Sequence, residues 1–181
     1  MVKDQTDRAA IESAAGSANS RAEMWSRLIE TLNVRQMAEV GVWSGAFAEA
    51  MLRRCPQLQR YFMIDPWRRL DQWNKPMNID DRAFEDVYEE AMRRTEFAAE
   101  KRNVLRGTTL EAVAEVPDAS LDLAYIDGDH TLRGITIDLI AWYPKLKPGG
   151  LITKTRSSEL LPKPLLMSLR RLRDREAAIN P

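Results

Sequence analysis

The sequence has few of the residues on which disulfide-rich proteins and multi-cysteine metal sites depend. Its 181 residues include one cysteine, Cys55, and one histidine, His130. A single cysteine excludes an internal disulfide and any metal site that is held by several cysteine ligands.

The sequence also lacks an excess of charge and a long apolar run. Basic and acidic residues are equal in number, at 27 each, so no overall field attracts the chain to nucleic acid or anionic lipid. No hydrophobic stretch approaches the roughly 20 residues that a membrane-spanning helix needs. We therefore expect a cytoplasmic protein that binds neither a membrane nor a nucleic acid.

Short apolar runs alternate with amphipathic segments along most of the chain. The runs predict strands at 36–40, 61–64, 103–106 and 121–126, and a fifth from Leu151 after a turn at Pro148-Gly149-Gly150. The segments between the runs show helical spacing. This alternation is typical of an α/β protein with a mostly parallel, twisted sheet and helices on both faces.

The run Glu39-Val40-Gly41-Val42-Trp43-Ser44-Gly45 lies where the first strand gives way to a helix. Its two glycines allow a ligand to approach the backbone, and the helix N-terminus beyond suits a carboxylate or ribose hydroxyls. Dinucleotide sites require G-x-G-x-x-G, and Val42-Trp43 stands where the middle glycine belongs. The run therefore favours a ligand without a diphosphate, with a nicotinamide-dependent oxidoreductase as a disfavoured alternative.

Two further candidate positions follow later strands. Asp65 ends the second strand, where a carboxylate can accept hydrogen bonds from a ribose, although an isolated Asp there is more often a turn residue. Ile126-Asp127-Gly128-Asp129-His130 ends the fourth strand, at the edge where parallel sheets bind ligands. A neighbouring carboxylate would raise the basicity of His130, although a lone histidine is more often structural. The glycine loop one strand earlier favours a functional role for Asp65, and the position of His130 after two carboxylates in a glycine-containing loop favours one for His130.

These motifs, in this order, resemble those of the class I S-adenosylmethionine-dependent methyltransferases over residues 35–152. The stretch from Ile126 to His130 is similar to a bacterial group of small-molecule O-methyltransferases related to macrocin O-methyltransferase, and more distantly to catechol O-methyltransferase. The resemblance implies a Rossmann-like fold. We expect an amino-terminal helical segment at 1–34, an S-adenosylmethionine-binding domain at 35–153 and an atypical basic helical tail at 154–181.

The resemblance also implies a role for each motif. S-adenosylmethionine would be bound by Glu39, Gly41, Val42, Trp43, Ser44, Gly45, Asp65, Pro66, Gly107, Thr108, Thr109 and Asp127. In this set the glycine loop would line the methionine end, Asp65 would hold the ribose, and the residues after the third strand would contact the adenine. His130 would be the general base. Asp127 would be catalytic with it, at a position that ligates Mg²⁺ in metal-dependent relatives.

The sequence departs from that family after the fifth strand. Metal-dependent relatives supply further ligands there, whereas this chain has Thr153-Lys154-Thr155-Arg156 and no carboxylate before Glu159. Magnesium prefers carboxylate oxygens, so the departure argues against a metal ion at Asp127. The relatives also continue through two edge strands, which a basic helix at 160–181 replaces here. A homo-oligomer is one way to cover the open edge.

The combined pattern predicts methyl transfer to a hydroxyl oxygen of a small molecule. The departure after the fifth strand leaves a second hypothesis, in which the chain binds S-adenosylmethionine without catalysis or is a truncated, inactive methyltransferase. Trp67 and Trp73, in the loop after the second strand, either cover the end of the sheet or form a lid over the acceptor.

Overall fold

The computed structural model describes residues 18–73 and 77–154, which fold around one parallel sheet. The strands are β1 (Gln36–Val40), β2 (Arg60–Asp65), β3 (Arg102–Arg106), β4 (Leu121–Ile126) and β5 (Leu146–Lys154). Their order in the sheet is β3-β2-β1-β4-β5, so the direction in which strands are added reverses between β1 and β4. Parallel sheets bind ligands at such a switch point, in the crevice outside the carboxyl ends of the strands.

Helices connect the strands. Within the described residues they are α1 (Arg21–Thr31), α2 (Ala46–Arg54), α3 (Asp81–Arg94), α4 (Thr109–Ala112) and α5 (Leu132–Trp142), with short 3-10 turns at Glu96–Ala98, Val113–Glu115 and Tyr143–Lys145. Side chains cap the first turns of α1 and α3, where Ser20 accepts from the Glu23 amide and Asp80 from the Ala83 amide.

The sheet is covered on both faces because alternate side chains of each buried strand point in opposite directions. Met37 and Tyr61 belong to a hydrophobic cluster that includes residues of α1, α2 and α3. Ala38 and Phe62, their neighbours in sequence, belong to a second cluster with residues of α4 and α5. A parallel sheet with helices on both faces confirms the predicted fold class.

Strand β5 begins earlier than the sequence predicted. It starts at Leu146 rather than Leu151, because Pro148-Gly149-Gly150 lies inside the strand as an irregularity: Leu121 pairs with Leu146, and Leu123 with Leu151. Gly149 has a φ of 89°, and a Cβ on Gly150 would lie 2.9 Å from the Leu121 carbonyl oxygen. The prediction of a turn before the strand was therefore wrong, because a bulge takes up the extra residues and the strand continues through them.

The basic helical tail and the replaced edge strands predicted from the sequence lie outside the described residues, apart from Lys154 at the end of β5. Within the described part of the chain, β3 and β5 are the two edges of the sheet. None of the helices in residues 18–73 and 77–154 combines the length and the apolar composition that crossing a bilayer requires.

Candidate functional site

The glycine loop and the loop after β4 meet at the switch point. Gly41 has a φ of 94°, and a Cβ placed on it would lie 2.5 Å from the Gly128 nitrogen and 2.6 Å from the Asp127 carbonyl carbon. The Asp127 amide donates to the Val40 carbonyl oxygen at 2.7 Å. No side chain fits at position 41, so the glycine loop and the loop after β4 form one continuous backbone surface.

Helix α2 starts at this surface without a capping side chain. Its N-cap is Gly45, in the left-handed region at a φ of 76°. A Cβ on Gly45 would lie 3.0 Å from the Ala91 Cα of α3, which explains a glycine here on packing grounds as well. Among the described residues, no side chain caps the first-turn N–H groups of α2, which suits a bound carboxylate or hydroxyl.

Asp65 joins the loops after β1 and β2. Its Oδ2 accepts from the Trp43 amide and its Oδ1 from the Trp67 amide, both at 2.9 Å. Burial raises the pKa of the Asp65 carboxyl, and the hydrogen bonds from these amides oppose the rise. An ionised carboxylate has about four acceptor positions, so two bonds leave room for the ribose hydroxyls that the sequence predicted.

The two tryptophans bonded to Asp65 are also bonded to each other. Trp43 and Trp67 have φ values of 54° and 40°, in a region that non-glycine residues rarely adopt. The Trp67 indole N–H donates to the Trp43 carbonyl oxygen at 2.8 Å. Trp67 is fully buried, so it covers the end of the sheet rather than forming a lid. Pro66 is half-buried and lies between Asp65 and the buried Trp67.

The predicted adenine contacts follow β3. The Gly107 amide donates to the Asp65 carbonyl oxygen at 3.0 Å, and Thr108 forms a capping box with Glu111 at the start of α4. The Thr109 hydroxyl instead faces the interior, where it donates to Asp138 at 2.5 Å. Gly107 and Thr108 thus lie beside Asp65, whereas a contact between the Thr109 hydroxyl and adenine would require breaking a buried bond.

Glu39 is buried beneath the glycine loop. Its Oε2 accepts from the Tyr61 hydroxyl at 2.7 Å, and its exposed fraction is 2%. Burial raises the pKa of the Glu39 carboxyl well above its usual range, the bond from Tyr61 opposes that rise, and the charge on Asp127 adds to it. A cation brought close to Glu39 would favour the ionised form of its carboxyl group.

Asp127 is in contact with a residue that the sequence motifs did not include. Arg21 Nη2, at the start of α1, lies 2.8 Å from Asp127 Oδ2, and the Tyr125 hydroxyl lies 3.4 Å from the same oxygen. His130 Nε2 lies 3.8 Å from Asp127 Oδ1, close enough for an electrostatic interaction but longer than a hydrogen bond. The predicted pair is therefore adjacent, and a guanidinium compensates its carboxylate.

The residues around Asp127 do not fit a magnesium site. Among the described residues, no group of three or more His, Cys, Asp or Glu side chains is arranged to hold a metal ion. Asp127 Oδ2 is already bonded to Arg21, whose positive charge opposes the binding of a second cation at the same carboxylate.

The residues around the crevice do fit S-adenosylmethionine. The crevice offers a backbone surface without side chains at Gly41 and uncapped N–H groups at α2. A carboxylate follows β2, and acidic and basic groups lie beside β4. These donors and acceptors match a ligand with ribose hydroxyls at one end and a zwitterionic amino acid at the other.

Sequence reasoning missed Arg21 and Tyr61. Arg21 is 106 residues from Asp127 in the chain, and no local pattern connects the two positions. Tyr61 was in principle detectable, because the alternation along β1 places Glu39 on the same face as Met37, inside the core. A carboxylate at a core-facing position requires a buried hydrogen-bond donor, and the next strand is the first place to look for one.

Comparison with known protein families finds a match that covers most of the chain. The family described as "Methyltransferase domain" matches residues 38–153. An uncharacterized protein, y4gI, of Sinorhizobium fredii is 26% identical over an alignment of 136 residues, and the alignment covers 71% of this chain and 14% of that protein. The chain thus spans only a small part of the length of this relative.

Solved structures with the same fold carry different descriptions. A Staphylococcus aureus protein proposed to be a caffeoyl-CoA O-methyltransferase has a TM-score of 0.56 at 16% identity, covering 84% of this chain and 70% of that one. A methyltransferase from Geobacter sulfurreducens has a TM-score of 0.54 at 18% identity, covering 82% and 70%. A precorrin-8w decarboxylase from Methanobacterium thermoautotrophicum has a TM-score of 0.51 at 18% identity, covering 86% and 69%. At these identities the likeness shows the class I, Rossmann-like fold alone.

Proposed function

Since the chain belongs to the methyltransferase domain family, we propose that it transfers the methyl group of S-adenosylmethionine to a small-molecule acceptor. The observation that carries the proposal is the backbone contact between Gly41 and Gly128 at the switch point, with Asp65 on the neighbouring strand. A ligand with a ribose and an amino-acid end has complementary groups along this crevice.

The chain's own residues would bind and orient the cofactor. S-adenosylmethionine supplies an electrophilic methyl group on a sulfonium, and the transfer requires an acceptor oxygen aligned behind that group. Asp65 would accept from the ribose, and the uncapped N–H groups of α2 would bind polar groups near the methionine end. Fixing two reactants in one geometry can contribute about 7–11 kcal/mol, so positioning is the main catalytic task.

The acceptor group we propose is a hydroxyl, as in the small-molecule O-methyltransferases related to macrocin O-methyltransferase. His130 follows β4 at the same edge of the sheet, and its side chain is 35% exposed, so a substrate can reach it. Asp127 lies 3.8 Å away and would stabilise the protonated imidazole after His130 takes the hydroxyl proton. A positioned base adds about 10²–10⁴-fold to the rate. A cytoplasmic location and a second copy at the β5 edge remain predictions from the sequence.

Calorimetric titration tests the cofactor assignment. S-adenosylmethionine and S-adenosylhomocysteine should both bind, whereas NAD should not, because Val42-Trp43 replaces the glycine that a diphosphate needs. If the folded protein has no affinity for either sulfur compound at millimolar concentration, the proposal is wrong.

Turnover with a panel of hydroxylated acceptors tests the catalytic assignment. Replacing His130 with Ala should lower turnover by about 10²–10⁴-fold and leave S-adenosylhomocysteine affinity unchanged. Turnover equal to that of the parent protein would exclude His130 as the base. Cofactor binding without transfer to any acceptor would favour the second hypothesis, a binding domain without catalysis.

A further inference from the structure

Arg21 lies over the part of the crevice that the glycine loop and β4 form. It is the first residue of α1, and the helix is fixed to the core by Met24, Trp25, Leu28 and Ile29. Its guanidinium carbon lies 5.6 Å from the ring centroids of both Phe47, in the first turn of α2, and Tyr125, in β4. The guanidinium therefore has a defined position between the two elements that border the switch point.

The charges around Arg21 are those of a site for an amino acid. Asp127 is bonded to Arg21 at 2.8 Å, and the charge of Arg21 also acts on Glu39. A carboxylate and a guanidinium thus lie side by side here, with the buried Glu39 carboxyl group within range of their charges. A zwitterion with an ammonium and a carboxylate on one carbon is complementary to such a set, whereas a ligand of one charge is not.

We propose that Arg21 binds the α-carboxylate of the methionine moiety of S-adenosylmethionine. The inference rests on the proposed function, which puts the methionine end of the cofactor near the start of α2, and the glycine loop that leads into α2 touches Asp127. A guanidinium presents a planar fork of N–H donors that matches a carboxylate, and its side chain here is half exposed, so a ligand can reach it. The bond to Asp127 and the two aromatic rings keep the guanidinium beside the crevice, where it can exchange one partner for another.

A purely structural ion pair is the competing explanation. Half-exposed ion pairs contribute little to stability, and the fold does not otherwise need one at the end of a helix that its apolar face already anchors. The two explanations differ in one measurable respect. Only a carboxylate-binding role makes the effect of replacing Arg21 depend on whether the ligand has an α-carboxylate.

The test uses two ligands that differ in that group alone, S-adenosylhomocysteine and its decarboxylated analogue. Their dissociation constants are measured calorimetrically with the parent protein and with Arg21→Met. We expect the variant to bind S-adenosylhomocysteine about 10–100-fold more weakly, the value of a charge-assisted hydrogen bond, and to bind the decarboxylated analogue almost as the parent does. Arg21→Lys, which keeps the charge but not the fork, should show an intermediate loss.

Arg27→Met is the matched control. Arg27 lies on the same helix and is paired with Glu23 within it, away from Asp127, so its replacement should change neither affinity. An equal loss for both ligands, or no loss for either, overturns the proposal. If Arg21→Met does not fold, the same two dissociation constants measured with Arg21→Lys test the proposal. Failure of the parent protein to bind either ligand is a distinct result, in which the proposed function fails and this inference fails with it.

Discussion

The two sides of β1 are joined to their neighbours by different means. Toward β2, the loops are tied by the buried Asp65 carboxylate, which accepts from the Trp43 and Trp67 amides. Toward β4, the loops touch through bare backbone at Gly41 and Gly128, and the half-exposed Arg21 forms an ion pair with Asp127 beside that contact.

The difference separates a fixed wall of the crevice from an adjustable one. Buried hydrogen bonds to a carboxylate hold the β2 side in one geometry, because breaking them would leave a desolvated charge. The ion pair on the β4 side is in contact with water and can exchange partners at small cost. We expect the fixed wall to bind the invariant adenosine and the adjustable wall to bind the reacting end.

The largest expected effect is on the backbone contact at β4. Gly41→Ala places a Cβ 2.5 Å from the Gly128 nitrogen at a φ of 94°, so the loops must separate. We expect a loss of about 2–4 kcal/mol in the free energy of unfolding, measured with denaturant. Gly128→Ala is the matched control, since its Cβ would have no neighbour closer than 3.6 Å. Equal losses in both variants would mean that the contact at Gly41 is not what joins the loops.

A smaller effect is expected when the β2 side is loosened. Asp65→Asn replaces one acceptor oxygen with an NH₂ group, which then faces the Trp43 or Trp67 amide and cannot accept from it. We expect a loss of about 1–3 kcal/mol in unfolding free energy, and weaker binding of S-adenosylhomocysteine by calorimetry. Asp118→Asn, at an exposed ion pair with Lys145, should change neither quantity. An Asp65 variant as stable as the parent would show that Asp65 does not hold the loops together.

The smallest effect at neutral pH is expected below the two walls, at Glu39. Because burial raises the pKa of the folded-state carboxyl, the stability it contributes is complete below its unfolded pKa and falls as the pH rises toward the folded pKa. Glu39→Gln retains the bond from Tyr61 and removes the titration. The melting temperature of the Glu39→Gln variant should therefore decline less between pH 5 and 8 than that of the parent protein. Parallel pH profiles for the two proteins would contradict this account.

Local sequence patterns predicted the sheet and the positions of its loops. Apolar runs identified β1 and β4 with their observed bounds, and the glycines of the first loop identified the strand-to-helix turn. Such features are visible in sequence because strand burial and positive φ values restrict the residue at a single position. The start of β5 was mispredicted because a bulge and a turn use the same residues, proline and glycine.

The contacts that give the crevice its chemistry were not predictable in the same way. The Arg21–Asp127 pair depends on the angle at which α1 packs on α2, which no residue near either position specifies. The amides that donate to Asp65 belong to Trp43 and Trp67, whose positive φ values cannot be predicted from the residue type. Sequence therefore indicated which residues lie at the crevice, and the tertiary packing decided what each one contacts.

The absence of a side-chain cap on α2 has a thermodynamic consequence. The N–H groups at that helix start are solvated when nothing else accepts from them, so a ligand that does accept is linked to folding. By mass action such a ligand stabilises the folded chain by about 2.7 kcal/mol at a hundred times its dissociation constant. The free energy of unfolding measured for this protein therefore depends on the solution, and it rises with the concentration of any ligand that binds at the start of α2.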